Sequence, residues 1–168
     1  YIMLDTKRKY MNEIKVNTNE YSAYNPYIIA EIGVNHAGDM SLAKKMIKSV
    51  ADAGGHAAKF QTYKADKIAS KKNSPSYWDT NEESCTSQHE LFTKFDSFGD
   101  KEYKELADYS KECGIDFLST PFDMDAVDML DSTMPCFKIA SADLTNIALV
   151  RTVAKQGKTV ILSQVASL

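Results

Sequence analysis

The chain has 168 residues, which is long enough for one domain with a hydrophobic core of its own. Its 20 Lys and Arg residues against 23 Asp and Glu residues give a formal charge of −3 without a basic block, which argues against nucleic-acid and anionic-membrane partners. No apolar run approaches the roughly 18–20 residues of a transmembrane helix, and the first charged residues are not followed by the apolar core of a secretory signal.

The N-terminal residues differ in character from the rest of the chain. The segment 11–16, Met-Asn-Glu-Ile-Lys-Val, is typical of a natural start followed by a short strand. We therefore expect residues 1–10 to be non-native or an upstream extension, and residues 11–168 to form the folded unit.

Five short apolar runs predict buried strands, because they are β-prone and end in polar residues. The predicted strands cover residues 27–32, 56–62, 115–120, 136–141 and 159–163. Amphipathic spacing predicts helices between them. The predicted helices begin at Ser41 as N-cap, at Asp100, at residues 121–123 and at Asn146 as N-cap, with one or two further helical turns near Leu91. The polar connection 63–88 is long for a compact domain, so we expect it to be functional or mobile.

The alternation of strands and helices, with glycine at the turns, predicts parallel strands joined by right-handed crossovers. No Gly-x-Gly-x-x-Gly follows the first strand, which disfavours a dinucleotide-binding sheet. The expected fold class is α/β, a TIM (β/α)8-barrel, of which this chain holds the N-terminal portion of about five βα units. A closed barrel needs eight strands and typically about 250 residues.

Polar side chains stand near the ends of the predicted strands, and in parallel βα folds these ends meet at one edge. Lys59 and Lys138 lie within apolar runs, which favours an anionic ligand over a solvated surface lysine. Strand alternation places Gln61 on the same face as Lys59. Ser119 and Thr120 precede a proline that begins a helix, so they suit either a phosphate or a helix cap.

Glu31 stands near the end of the first strand, on the same face as Ile29 and Gly33. A carboxylate that points into a folded core is costly unless it is paired. The residues alone therefore leave two interpretations open, namely a catalytic group or a structural ion pair with Lys59.

Neither the histidines nor the cysteines form a metal-binding pattern. The three cysteines are widely spaced without a Cys-x-x-Cys pair, which predicts reduced thiols in a cytoplasmic protein. Isolated histidines pack or form hydrogen bonds more often than they bind metal, and we interpret all three in this way. They are His36, His56 and His89.

The chain resembles the sialic acid synthases, a family of nonulosonic acid synthases, over roughly residues 26–163. The matching segments occur in the family's order, and together they are specific. They are Ile29-Ala30-Glu31-Ile32-Gly33-Val34-Asn35-His36-Ala37-Gly38-Asp39, Lys59-Phe60-Gln61-Thr62, Phe117-Leu118-Ser119-Thr120-Pro121-Phe122-Asp123 and Lys138-Ile139-Ala140-Ser141. Residues 64–79 are most similar to the branch that makes sialic or legionaminic acids.

The resemblance implies an enzyme that condenses phosphoenolpyruvate with N-acetylmannosamine or a related 2,4-diacetamido sugar and releases phosphate. It implies Glu31 as the catalytic residue. The substrate-binding residues that it implies are Lys59, Gln61, Thr120, Lys138, Ser141 and Ser163. It also implies a divalent cofactor, Mn²⁺ or Mg²⁺, with ligands beyond residue 168, and a homodimer when the protein is full length. Tyr77 and Trp78 either line the sugar pocket or pin the long connection.

Two departures from the family's pattern bear on activity. Ser163 is present, but residues 164–168 replace the family's Thr-Gly-Met turn. The family continues with barrel strands that carry metal-binding histidines and with an antifreeze-like domain, neither of which is expected within residues 11–168. The isolated chain is therefore expected to be inactive. Two alternatives stay open: a catalytically dead partial barrel that acts as a binding or dimerisation module, and another phosphoenolpyruvate-dependent aldol-type synthase.

Overall fold

A computed structural model of the chain describes residues 13–164. The strands are β1 (Glu13–Val16), β2 (Asn19–Ser22), β3 (Ile29–Gly33), β4 (Ala57–Thr62), β5 (Asp116–Pro121), β6 (Cys136–Ile139) and β7 (Thr159–Leu162). The helices are α1 (Met40–Asp52), α2 (Ala65–Ile68), α3 (Gln88–Phe95), α4 (Asp100–Glu112), α5 (Met124–Asp131) and α6 (Ile147–Lys155), with a 3₁₀ turn at Ser141–Asp143. The predictions for residues 1–10 and for the turn at 165–168 lie outside the described residues. Within the described part of the chain, the helices are too short or too polar to cross a membrane.

The strands that carry the candidate residues pair in parallel, which confirms the prediction from the alternation of strands and helices. β3, β4 and β5 form one parallel sheet, in which Glu31 lies opposite Lys59 and Gln61 lies opposite Thr120. β6 and β7 form a second parallel pair, which contains Lys138, and β6 lies next to β5. Helices connect these strands in sequence, so the chain has an α/β fold.

The first two strands form an antiparallel hairpin, whose second strand the sequence analysis did not predict. Polar contacts attach this hairpin to the first residues of two later strands. The Asn17 amide donates to the Asp116 carboxylate (3.1 Å) at the start of β5, and Tyr27, which follows the hairpin, donates to the same carboxylate (2.6 Å). The Thr159 hydroxyl, at the start of β7, donates to the Lys15 carbonyl (2.8 Å). The hairpin is therefore attached to the N-terminal ends of the strands, away from the ends that carry the candidate residues.

The hydrophobic core lies between the strands and the helices. β4 is buried along most of its length, as is usual for a parallel strand that is covered on both faces. Phe60 on β4 stacks on Phe117 of β5 with ring centroids 5.5 Å apart. Both rings belong to one buried cluster with apolar side chains of the helices, which include Ile47, Leu106, Val127, Leu149 and Val153. Each large side chain buried in this way contributes about 1.5–3 kcal/mol to stability.

Several element boundaries differ from the prediction by one or two residues. Asp39 rather than Ser41 caps α1, because its extended backbone lets the carboxylate accept two amides of the first turn (2.8 and 3.1 Å). β6 ends at Ile139 rather than at residue 141, because Ser141 already begins the 3₁₀ turn. Asn146 caps α6, which confirms that prediction.

The long connection after β4 is folded upon itself. It contains α2, and a bridge between Pro75 and Ser87 closes its middle part. Trp78 donates from Nε1 to two backbone carbonyls of the same connection (3.2 Å each), so this side chain pins the connection. Tyr77 packs edge-on against the Trp78 ring and is largely exposed.

The loop that follows β3 packs against the residues that precede α4. His36 is buried and stacks on Phe98 with ring centroids 4.4 Å apart, and its Nδ1 accepts the Gly38 amide (3.2 Å). This is the packing role that the sequence analysis expected for His36. Gly38 has a φ of +79°, and a Cβ at this position would lie 3.0 Å from the Ser97 Cβ and closer still to its Oγ.

We expect Gly38→Ala to destabilise the fold more than Gly54→Ala. Both glycines have a left-handed backbone, with φ of +79° and +77°, so both substitutions cost about 1–2 kcal/mol in strain. Gly54 is surrounded by open space, whereas the methyl group at Gly38 collides with Ser97. Urea unfolding should show a further loss of about 1–3 kcal/mol for G38A. Equal losses for the two variants would contradict the tight loop packing.

We also expect His36 to make the fold less stable in mild acid. Burial lowers the pKa of His36 below its ordinary value of 6.5. The unfolded chain therefore takes up this proton at a higher pH than the folded chain, so the free energy of unfolding should fall as the pH drops below about 6.5. His36→Phe keeps an aromatic ring and removes the titration. Urea unfolding over the pH range should show a flatter dependence for H36F, and an unchanged dependence would contradict the assignment to His36.

Candidate active site

Glu31 and Lys59 form an ion pair across neighbouring strands. They are opposite each other in the β3–β4 register, and the Lys59 Nζ lies 2.5 Å from the Glu31 Oε2. The lysine side chain is 9% exposed and the carboxylate 54% exposed, so the pair stands at the boundary between core and solvent. The ion pair that the sequence analysis considered is therefore present, and the carboxylate is accessible to a ligand.

Thr120 and Gln61 extend this pair along the same edge of the sheet. The Lys59 Nζ donates to the Thr120 Oγ1 (3.1 Å), so one ammonium group joins side chains of β3, β4 and β5. A methyl group on Gly33 would lie 3.6 Å from the Glu31 Oε1 and 3.8 Å from the Gln61 Nε2. Glu31 and Gln61 therefore flank the same point of the backbone, and the four predicted side chains form one group.

Lys138 shares the electrostatic environment of this group. It is buried, and its Nζ donates to the Ile139 carbonyl (2.9 Å). Burial lowers the pKa of Lys138, the positive charge of Lys59 lowers it further, and the carboxylate of Glu31 raises it. Two lysines and one carboxylate therefore influence one another electrostatically, and this combination has an excess positive charge that favours an anionic ligand.

The two predicted serines are placed differently. Ser163 follows β7, and its amide donates to the Ile139 carbonyl (3.1 Å), the same oxygen that accepts the Lys138 Nζ. Ser163 therefore lies beside the carbonyl that holds the Lys138 ammonium group. Ser141 begins the 3₁₀ turn after β6, as its strand parity required, and is half-buried. Within residues 13–164, no hydrogen bond joins the Ser141 hydroxyl to the other candidate residues.

Ser119 does not join the group. It is fully buried on the opposite face of β5, where its Oγ lies 2.7 Å from the Thr62 Oγ1. It does not cap α5 either, because the Asp123 side chain accepts the Ala126 amide (3.0 Å). Both interpretations considered for Ser119 are therefore wrong. The sequence contained a signal for this placement, because side chains alternate along a strand and the neighbours Ser119 and Thr120 therefore cannot face the same side of β5.

Asp143 is a carboxylate that the sequence analysis did not select. It lies in the 3₁₀ turn, and its Oδ2 is buried without a hydrogen-bond partner among the described residues. Burial raises the pKa of Asp143. Its place two residues after Ser141, in the turn that follows a strand end, is the signal that could have identified it.

The described residues do not form a metal site by themselves. Between residues 13 and 164, no three side chains of His, Cys, Asp or Glu lie close enough together to hold an ion. The divalent ion implied by the resemblance therefore stays a prediction, with ligands expected elsewhere.

Substitutions of Glu31 and Lys59 should move the pKa of Lys138 in opposite directions. Lys59→Met removes a neighbouring positive charge and should raise this pKa, whereas Glu31→Gln removes a negative charge and should lower it. NMR titration of the lysine side chains, with Lys138→Arg for assignment, measures both shifts. Lys104→Met, at an exposed position of α4, is the control that should leave the pKa unchanged. Shifts of the same sign would show that the three groups do not share one environment.

Comparison with known proteins connects this arrangement to one family. The NeuB family model matches residues 46–167. The chain is 42% identical over 138 residues to an N,N'-diacetyllegionaminic acid synthase of Campylobacter jejuni, covering 81% of this chain and 41% of that protein. It is 34% identical over 139 residues to an N-acetylneuraminate-9-phosphate synthase of Mus musculus, covering 82% of this chain and 38% of that protein.

Solved structures show the same relationship. A sialic acid synthetase from Leptospira borgpetersenii matches with a TM-score of 0.75 and 35% identity, covering 93% of this chain and 50% of that one. A truncated 3-deoxy-D-arabino-heptulosonate 7-phosphate synthase from Thermotoga maritima matches with a TM-score of 0.63 and 11% identity, which shows a shared fold alone. The chain spans half of the length of these relatives or less. Because the family model matches well over half of its residues, the chain belongs to the NeuB family.

Proposed function

We propose that this chain carries the phosphoenolpyruvate-binding part of a nonulosonic acid synthase. The observation that supports this most directly is that two buried lysines, Lys59 and Lys138, share their environment with one carboxylate, Glu31, near the ends of parallel strands. Phosphoenolpyruvate carries a phosphate and a carboxylate within three carbons, so it needs cations that lie close together. Thr120 and Gln61 supply further donors at the same edge.

Electrostatic attraction is the main contribution of the two lysines. A charge about 4 Å from a lysine is stabilised by up to about 4 kcal/mol at an effective dielectric of 20, before the cost of desolvation. In the free chain Lys59 is paired with Glu31, so an incoming anion competes with that carboxylate for the ammonium group. Binding therefore frees Glu31 to orient or deprotonate a water molecule or to act on the carbonyl region of the sugar.

In the proposed reaction, C3 of phosphoenolpyruvate attacks the open-chain aldehyde of the acceptor sugar. Water then adds at C2, and the tetrahedral intermediate collapses with cleavage of the C–O bond and loss of phosphate. Lys59 and Lys138 hold the phosphate and the carboxylate in place and stabilise the charge that develops there. The hydroxyl donors in this scheme are Thr120, Ser141 and Ser163.

The proposed acceptor is an N-acylated mannosamine-type sugar, either N-acetylmannosamine or a 2,4-diacetamido sugar. The names of the relatives, an N,N'-diacetyllegionaminic acid synthase and an N-acetylneuraminate-9-phosphate synthase, support this class. We also propose that the βα units belong to a (β/α)8 barrel, which is supported by the parallel strands and by the match to the Leptospira synthetase. The Mn²⁺ or Mg²⁺ cofactor, the homodimer of the full-length protein and the cytoplasmic location stay predictions.

Calorimetric titration of the purified 168-residue chain with phosphoenolpyruvate tests the proposal. We expect saturable binding, and we expect Lys59→Met to weaken it by about tenfold or more, since a charge-assisted contact to the ligand is lost. Lys104→Met, which removes an exposed lysine of α4, should leave the affinity unchanged. Absence of binding by the wild-type chain, or equal affinities for K59M and K104M, would contradict the proposed site.

The same preparation tests whether the chain turns over. With phosphoenolpyruvate, N-acetylmannosamine and Mn²⁺ together, we expect no phosphate release, because the described residues do not form a metal site by themselves. Sustained phosphate release would show that the metal ligands have been misplaced. Ligand binding without turnover is also the outcome expected of a binding module, and turnover by the full-length protein separates the two.

A further inference from the structure

Three buried hydroxyl groups, here called the hydroxyl cluster, lie behind the candidate active site, on the helix-facing side of β4 and β5. They belong to Tyr103, Thr62 and Ser119. The Thr62 Oγ1 lies 2.7 Å from the Ser119 Oγ. Tyr103 of α4 donates from its phenol to the carbonyl of Gln61, the residue before Thr62 (2.9 Å). The three hydroxyl-bearing side chains are 7% (Tyr103), 4% (Thr62) and 0% (Ser119) exposed, so bulk water does not compete for these bonds.

The donor is fixed at the Tyr103 end of this cluster. The Gln61 carbonyl can only accept, so the phenol of Tyr103 donates to it and has no second proton to give. In the contact between Thr62 and Ser119, either hydroxyl can be the donor. Burial raises the pKa of Tyr103 to about 12, so the phenol keeps its proton over the physiological range.

Both ends of the hydroxyl cluster lie at candidate binding residues. At one end is Gln61 itself, whose side chain lies on the opposite face beside Glu31. At the other end is Ser119, which directly precedes Thr120, the partner of Lys59. Since Gln61 and Thr120 are opposite each other in the β4–β5 register, the Tyr103 bond and the Thr62–Ser119 contact lie at the level where these side chains enter the site.

We propose that Tyr103 is a positioning residue for the anion site. Its bond to the Gln61 carbonyl fixes the end of β4, and the contact between Thr62 and Ser119 ties this end of β4 to the end of β5. Gln61 and Thr120 are thereby held toward the same ligand as Lys59. This inference rests on the proposed function, because it assigns the support of the site described there.

A role in packing alone would depend on the ring of Tyr103 and not on its hydroxyl. Tyr103→Phe separates the two, because it keeps the edge contact with Phe98 (ring centroids 6.0 Å apart) and removes only the oxygen. Ser110→Ala is the matched control. Ser110 is a fully buried hydroxyl on the same helix, and it donates to the Leu106 carbonyl (2.8 Å) within α4.

Calorimetric titration with phosphoenolpyruvate is the first measurement. We expect Y103F to bind about three- to tenfold more weakly than the wild-type chain, while S110A binds with unchanged affinity. Urea unfolding should show similar losses of stability for Y103F and S110A, so that a difference in stability cannot explain their difference in affinity. Thr62→Ser keeps the hydroxyl and should retain the affinity, whereas Thr62→Val should lose it. Equal affinities for Y103F and the wild type, or equal weakening in S110A, would overturn the inference.

A measurement without ligand keeps the inference separate from the proposed function. The NMR resonances of the Gln61 side-chain amide should shift in Y103F but not in S110A, because only Y103F removes the donor to the Gln61 carbonyl. If the wild-type chain binds no phosphoenolpyruvate, the proposed function fails, and these resonances still decide whether Tyr103 positions Gln61. Unchanged Gln61 resonances in Y103F would overturn the positioning role.

Discussion

The positive charge of a lysine inside a folded chain must be compensated by nearby polar groups, and the groups that compensate Lys59 determine how three strands lie together. Its ammonium group takes a carboxylate from β3 and a hydroxyl from β5, while the flanking residue Phe60 packs on the opposite face. A shift of the β4 register by one residue would exchange these faces and bury the charge among aromatic rings. The alternation of one cation and one ring therefore disfavours a one-residue shift of the register, and it places the polar candidate residues on one side.

The second lysine is held in a different way. Lys138 donates to the carbonyl of the next residue along β6, and the same carbonyl also accepts the Ser163 amide. The ammonium group is therefore fixed by backbone rather than by a second carboxylate, which keeps its charge available. Among residues 13–164, Glu31 is therefore ion-paired with Lys59 alone, and Lys138 has no carboxylate within ion-pair distance.

Much of this arrangement could be predicted from the sequence, because strand alternation and burial act locally. Embedding in apolar runs identified Lys59 and Lys138, and parity put Gln61 on the face of Lys59. What the sequence did not reveal depends on contacts between distant segments. β2 was missed because the Asn-Glu-Tyr-Ser segment has one buried residue, Tyr21, and no apolar run. The bond from Tyr103 to the Gln61 carbonyl was missed because α4 and β4 are separated by the long connection, and neither segment carries a pattern that predicts their contact.

The β1–β2 hairpin has a consequence for how the molecule can change. It is attached to Asp116 and Thr159, the first residues of β5 and β7, whereas Thr120 lies four positions further along β5, about 13 Å away. Substitutions separated by such a distance and without shared partners contribute almost independently to the free energy. Substitutions near the hairpin can therefore alter stability without altering the candidate site, and substitutions near Thr120 can alter the site without altering the hairpin. Relatives that are adapted to different temperatures need not differ in what they bind.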